Sequence, residues 1–389
     1  MRPLTVVVPV FNGRDHLSRC LEALARCAPA GARIVLNDDA STDAGVAPLL
    51  ATFIASMPAA RLLRADRNGG FIAACNAAVA QATPGSDLLF LNADTELTQG
   101  SIEEMAAVLG QVQAAVCCPM SSNATILSVP RYQQSNDLPP GWSAEDMARH
   151  VRSAAGAGRA ARIPTPIGFC MLVRREAWDA HGPFDPAFGM GYGEEDDFGQ
   201  RVQAAGGSIV AALKAYVWHK GAASFGAGEP INAQRAANGR LLLSRWPAYA
   251  DNVRAFAQAN PLRPMHERLW HQLLSAPEER SRHVLHLVPR WELQGPFRDH
   301  VLSVAREGRD VANHTILVPM PDRGAWLDAI DFEVERGIRV VGLIELPGNF
   351  DRFLAASPAT QVRVHDKGRW DPAPWVDSVA RRGLPLQVA

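Results

Sequence analysis

The 389 residues lack several signatures, and each absence removes a class of function. The formal charge of −1 leaves no electrostatic footprint for a nucleic acid or an anionic membrane surface. The first apolar run, Leu4 to Phe11, is too short to span a membrane and carries no signal-peptide cleavage pattern, so it reads as a buried strand. No C-x-x-C pair occurs among the six cysteines, all of which precede position 171; buried thiols in a reducing cytoplasm are expected rather than disulfides or a zinc site. Neither G-x-G-x-x-G nor a Walker A pattern follows the first strand, which sets aside dinucleotide and P-loop chemistry. Internal repeats and low-complexity tracts are also missing.

What remains is an ordinary globular composition, 47% hydrophobic and 20% charged, on a chain long enough for two domains. Short apolar runs alternate with helical patterns from the N-terminus, which argues for a mostly parallel sheet with helices on both faces. Ser101 and Glu104 suggest a capping box opening one helix. Strand-like runs at 208–213 and 215–218 lead to His219, and a helix near 233–246 closes the first domain. The expected division is a first domain over 1–260, a linker over 261–282 and a smaller doubly wound, Rossmann-like α/β domain over 283–389 with five strands. His266 and His271 do not share a helix face in the H-E-x-x-H manner and are expected on the surface.

Chemistry concentrates where apolar runs end in acids. Leu36-Asn37-Asp38-Asp39 and Leu91-Asn92-Ala93-Asp94 deliver carboxylates to the rim of an α/β sheet. The first suits a nucleoside, whose N–H and hydroxyl groups donate to carboxylates; the second suits a divalent ion on a diphosphate. Asn68-Gly69-Gly70 before a helix is compatible with an ordinary turn or with an anion site at the helix N-terminus. The run Gly193-Glu194-Glu195-Asp196-Asp197 packs four acids into one helical turn; they serve either the helix dipole or a site. Arg201 can pair with Asp197 and leave Glu194 or Glu195 to face a cleft, where a carboxylate could take a proton from a hydroxyl. His219 ends an apolar strand.

In order along the chain, these segments resemble the family-2 inverting glycosyltransferases of the GT-A fold, in their bacterial rhamnosyltransferase-like branch. Val6 to Asn12 looks like that family's opening strand, Asp38 to Asp43 like its nucleoside-binding stretch, and Asn68 to Asn76 like a segment of the rhamnosyltransferase-like members. Asn92-Ala93-Asp94 stands where the family has D-x-D, with Asn replacing the first Asp. The resemblance, which spans about residues 3–250, implies a nucleotide-diphospho-sugar site at Pro9, Phe11, Asn12, Asp38, Asp39, Asn68, Gly70, Asn92 and Asp94. It implies a divalent cation, Mg²⁺ or Mn²⁺, on Asp94 and His219, and an acceptor side at Gly168, Phe169 and Tyr192. Glu195 stands where the catalytic Asp is usual, so Glu195 is expected as the base, with Glu194 beside it. The expected acceptor is a bacterial surface glycan, free or lipid-linked, which would put a cytoplasmic enzyme at the inner face of the membrane. A sugar-1-phosphate nucleotidyltransferase would need a Gly-rich loop where Asn12-Gly13-Arg14-Asp15 stands; a non-catalytic glycan-binding protein on the same fold is the alternative reading. His283 to Pro289 and Gly295-Pro296-Phe297 look like the start of a GT-B acceptor half. The resemblance leaves that segment as either a non-catalytic module or the leading part of a longer protein.

Overall fold

A computed structural model describes residues 2–138, 142–221, 229–274, 282–288, 296–308, 312–320, 329–335, 338–344, 349–357, 359–365 and 373–388. The chain forms two α/β units, Met1–Phe256 and Ala257–Ala389. The first begins with β1 (Leu4–Val10), α1 (Arg14–Cys27), β2 (Arg33–Asp38), α2 (Val46–Ser56), β3 (Ala60–Arg64), α3 (Gly70–Val79) and β4 (Asp87–Leu91). It continues through β5 (Thr95–Leu97), α4 (Ser101–Gln111), β6 (Val116–Met120), α5 (Ala144–Ala155), β7 (Ala160–Arg162) and β8 (Cys170–Val173). The last elements are α6 (Arg175–His181), α7 (Glu194–Ala204), β9 (Ile209–His219), α8 (Glu229–Arg245) and α9 (Tyr249–Ala259), the last of which crosses the division between units.

The sheet of the first unit runs β3-β2-β1-β4-β8-β6-β9-β5, with β7 on β9. β1 is parallel to both β2 and β4, and its Val6, Val7, Val8 and Val10 are fully buried, as expected of a strand covered on both faces. β8 enters antiparallel between β4 and β6. The 208–218 segment is one long strand rather than two, because a register shift against Pro119 and Met120 of β6 absorbs the irregularity near Lys214. The expected box at Ser101 and Glu104 is not formed: Gly100, at φ 79°, caps α4, and the Glu104 carboxylate instead takes two bonds from Arg159. A capping box does form at Ser143 and Asp146 on α5. All six cysteines are free and buried.

The second unit comprises α10 (Arg263–Leu274), β10 (Arg282–Leu287), α11 (Pro296–Gly308), β11 (Ala312–Met320), β12 (Ala329–Glu335), β13 (Ile338–Ile344), α12 (Asn349–Ala356), β14 (Gln361–Val364), α13 (Ala373–Arg381) and β15 (Leu386–Val388). Among the described residues its sheet, β12-β13-β11-β10-β14-β15, has six strands rather than the expected five. The added one is β12, an antiparallel edge strand on β13 whose alternating acids, Asp331, Glu333 and Glu335, hid it among polar sequence. Apolar clusters lie on both sides of the sheet, one around Leu285, Leu287, Phe350 and Val379 and another around Val288, Val301, Leu302 and Ile316. This is the doubly wound arrangement expected from the alternation. His266 is a correction: it is buried, 5% exposed, and burial lowers its pKa to about 4. The side chain of His271 lies outside the described residues. Three further histidines form a buried chain, with His286 Nδ1 2.9 Å from His365 Nε2 and His286 Nε2 2.8 Å from His314 Nδ1.

Candidate active site

Because β1, β2 and β4 are parallel neighbours, the segments after Val10, Asp38 and Leu91 emerge on one rim of the sheet. A pocket of about 150 Å³ there is lined by Pro9, Val10, Phe11, Asp39, Asn68, Gly70, Phe71, Ala74, Asn92, Ala93 and Met190. Six of the nine residues expected at a nucleotide-sugar site therefore line one cavity: Pro9, Phe11, Asp39, Asn68, Gly70 and Asn92. The two adjacent aspartates part company. Asp39 turns to the pocket and accepts from the N–H groups of Gly69 at 2.8 Å and Gly70 at 2.7 Å, so the anion at the N-terminus of α3 is the protein's own carboxylate. Asp38 is fully buried, and its oxygens accept from Ser41 N–H at 2.9 Å and from the Arg64 guanidinium at 2.8 Å. Burial raises its pKa, but the bonds from Ser41 and Arg64 outweigh that and leave it below the ordinary value. Asn12 holds the same loop from the other side, its Oδ1 accepting from the N–H groups of Thr42 and Asp43. Neither Asp38 nor Asn12 lines the pocket.

β5 begins immediately after Asp94 and pairs antiparallel with β9, Thr95 opposite His219. That register brings Asp94 and His219 together, with Lys220 N–H donating to the Asp94 carbonyl and His219 Nε2 3.5 Å from Asp94 Oδ1. The His219 ring is fixed from two directions: Nδ1 donates to the Asn123 carbonyl at 2.7 Å, and Phe169 stacks on it at 4.7 Å and 13°. With Nδ1 carrying that proton, the ring in its neutral form would turn an Nε2 lone pair toward a carboxylate oxygen that is buried and makes no hydrogen bond. Asn92 Oδ1 is likewise buried without a hydrogen-bond partner. Two facing acceptors call for a proton or a cation between them, and carboxylate oxygen with imidazole nitrogen suits a divalent ion such as Mn²⁺. Among the described residues no group of three or more His, Cys, Asp or Glu side chains could hold a metal, so the remaining ligands would have to come from a bound diphosphate or water.

The acids of α7 divide by neighbour. Asp197 accepts from Arg201 Nε at 2.9 Å, as the spacing suggested, and from Trp246 Nε1 at 2.9 Å, which ties α7 to the end of α8. Asp196 accepts from Thr165 and Tyr249. Glu194 and Glu195 each keep a buried Oε2 with no hydrogen bond. Burial, with the charge of Asp196, pushes Glu194 up to about 7. Burial, with the charges of Glu194 and Asp196, pushes Glu195 well above the usual carboxylate range. Burial and the charges of Glu194, Asp39 and Glu195 together raise the thiol of Cys75 on α3. Gly168 makes room for the Glu195 side chain, since a Cβ there would lie 2.9 Å from Oε1. Phe169, expected on the acceptor side, is buried and stacks on His219. The Tyr192 ring lies under the Arg235 guanidinium at 4.0 Å.

Phe71, Ala74 and Met190 line the pocket without having been expected there. Met190 carries a readable signal, an apolar residue between two glycines, and it is 43% exposed. Phe71 N–H donates to the Met190 carbonyl at 3.0 Å, which joins the first turn of α3 to the loop before α7.

The family model described as glycosyl transferase family 2 matches residues 5–182. Among curated proteins, the chain is 24% identical over 229 residues to polypeptide N-acetylgalactosaminyltransferase 4 of Mus musculus, covering 56% of this chain and 39% of that protein. It is 27% identical over 247 residues to the N-acetylglucosaminyl-diphospho-decaprenol L-rhamnosyltransferase of Mycobacterium tuberculosis, covering 57% of this chain and 78% of that protein. The match thus spans well under half the length of the mouse relative. Among solved structures, the GalNAc-T7 complex with UDP, GalNAc and Mn²⁺ superposes with a TM-score of 0.51 at 19% identity, over 66% of this chain and 51% of that one. That likeness is one of fold.

Proposed function

We propose that the first unit, a GT-A-fold, family-2 glycosyltransferase domain, moves a sugar from a nucleotide-diphosphate donor to a glycan hydroxyl with inversion. One observation carries the reading. The pocket lined by Asp39 and Asn92 and the segment that carries Glu194 and Glu195, each with one buried oxygen that makes no hydrogen bond, are joined through Phe71 and Met190, beside the Asp94–His219 pair.

Asp39 spends two of its carboxylate lone-pair positions on Gly69 and Gly70 and keeps others for donors on a base or ribose. Asp94 and His219 would hold a divalent cation together with the donor diphosphate. When bound, that ion offsets negative charge building on the departing nucleoside diphosphate. Glu195 accepts the proton of the acceptor hydroxyl as its oxygen bonds to the anomeric carbon, while the bond from that carbon to the diphosphate oxygen breaks on the opposite face. A carboxylate with a raised pKa is a stronger base than an exposed one, and its proton affinity is closer to that of the hydroxyl it serves. The charge of Glu194 beside it contributes to that raised value.

The acceptor we propose is a growing bacterial surface glycan, free or lipid-linked, as the name of the mycobacterial relative suggests. Among the described residues no helix is long and apolar enough to cross a membrane. The second unit is proposed to contribute acceptor recognition or partner docking. A panel of nucleotide sugars, scored for Mn²⁺-dependent donor hydrolysis and for transfer, tests the reading. Absence of turnover with every donor, together with tight binding of one of them, would favour a binding protein on the same fold.

A further inference from the structure

The acid pair at the start of α7 is presented by a loop that cannot hold its shape unaided. Of the five residues from Gly189 to Gly193, four have positive φ: Gly189 at 66°, Gly191 at 133°, Tyr192 at 75° and Gly193 at 100°. Tyr192 carries the strain, because a non-glycine residue in this region costs on the order of 1–3 kcal/mol and persists only where its surroundings enforce it.

Asn238 on α8 supplies that enforcement. It is 4% exposed, and the two N–H groups of its Nδ2 are shared among the carbonyls of Phe188, Gly191 and Tyr192, each at 2.8 Å. Its Oδ1 accepts from Gln234 Nε2 at 2.8 Å, which fixes the amide the right way round. Both polar atoms of the side chain are committed, and three bonds fall on the stretch that ends one residue before Glu194. On the far side the loop is held by Phe71 N–H on the Met190 carbonyl, where Gly70 leaves no room for a Cβ: one would lie 2.6 Å from Met190 Cα. The loop is therefore gripped between α3 and α8.

We infer that Asn238 is a positioning residue, which sets where the Glu194 and Glu195 carboxyls stand by tying down the backbone that precedes them. This rests on the reading of Glu195 as the base. Asn238 touches neither pocket nor carboxyl, so its contribution passes through geometry alone. A misplacement of about 1 Å at a reacting group can cost about 10²-fold in rate.

The test uses the full chain carrying Asn238→Ala, with Gln234→Ala as a milder variant that leaves Asn238 in place but frees its amide to rotate. Expected for Asn238→Ala are a fall in kcat of about 10²-fold with donor KM held within about threefold, and an acid limb of the pH–rate profile moved to lower pH as the carboxyls gain water. Amide exchange should quicken in the 189–197 segment and stay unchanged in β1 and β4. Gln234→Ala should give the same pattern at smaller amplitude. Unchanged exchange in 189–197 would overturn the inference, as would exchange that quickens equally throughout the unit in both variants. If the unsubstituted protein transfers sugar from no donor, the functional reading falls, while the exchange measurement still decides the positioning role.

Discussion

Gly168→Ala isolates the geometry of the proposed base from its chemistry. A Cβ at position 168 would lie 2.9 Å from Glu195 Oε1, 3.1 Å from Cδ and 3.3 Å from Cγ. Ordinary contact between such atoms begins near 3.4 Å, so the carboxyl must retreat by about half an ångström. It is the end of a flexible side chain, and a displaced χ angle costs about 0.5–1.5 kcal/mol, which the fold absorbs. The chemistry is less forgiving, because proton transfer needs the base within hydrogen-bond reach of the attacking hydroxyl. The expected result is a kcat lower by about 10- to 10²-fold with donor KM unchanged, since Pro9, Phe11, Asp39 and Asn92 are untouched. The Tm should fall by only about 2–4 °C per kcal/mol lost. Initial rates at varied donor and saturating acceptor, with a thermal melt of the same sample, make the measurement. Gly239→Ala is the control: a Cβ added to that glycine on α8 would meet no atom within 4 Å, so activity should hold and stability should stay level or rise. Wild-type turnover by Gly168→Ala would refute the placement of Glu195. A loss of about 3 kcal/mol or more in stability would show that the glycine serves packing instead.

Three further outcomes are expected. Glu195→Gln keeps the side chain's shape but cannot take a proton, so kcat should fall by about 10²–10⁴-fold with donor affinity nearly unchanged; normal turnover would transfer the role to Glu194. Asp94→Ala should weaken Mn²⁺ binding in the presence of a nucleoside diphosphate by about 10–100-fold by calorimetry, and full activity in excess chelator would exclude a metal there. In the second unit, His266 and His365 titrate near 4 against an ordinary value of 6.5, both lowered by burial. His286 is also lowered, by burial and by the neighbouring His314, His365, Arg363 and His283. Their folded-state values lie below the unfolded one, so their neutral forms are held at full stability above about 6.5 and lose it as pH falls toward 4. For His266 the cost is roughly 3 kcal/mol over that window. Acid unfolding followed by a Trp375 probe should begin below about pH 6.5, and stability flat from about pH 7 to 4.5 would refute the linkage.

How far the site was legible depends on whether its geometry follows from local sequence. Apolar runs ending in acids announced the rim, because a parallel βαβ unit must return each strand to the same edge. Pro9, Phe11, Asn68 and Asn92 followed from that rule and from the family likeness, and the structure brings all four into one pocket. What local sequence could not separate was Asp38 from Asp39. Successive residues at a strand end point to opposite sides, and the deciding fact is Arg64 on the adjacent β3, a partner set by strand order. Glu104 shows the same limit, since its position in a capping box is a local pattern and Arg159 is a distant competitor for it. β12 escaped because edge strands dilute the apolar alternation with acids, and His266 because a single histidine on a helix gives no sign of which face is buried.

The pairing of Asp94 with His219 lies beyond spacing altogether, for it depends on a three-residue strand. Were β5 to pair with β9 one residue out of register, Thr95 would no longer face His219 and the lone pairs of Asp94 and the imidazole would no longer meet. That register is supported by Thr98 donating its hydroxyl to the Tyr216 carbonyl, while Ser122 holds the backbone of His219 itself, accepting from its N–H and donating to its carbonyl. The residues that tune the proposed chemistry therefore include hydroxyls that touch no substrate. Their contribution is to keep one short β-ladder from slipping.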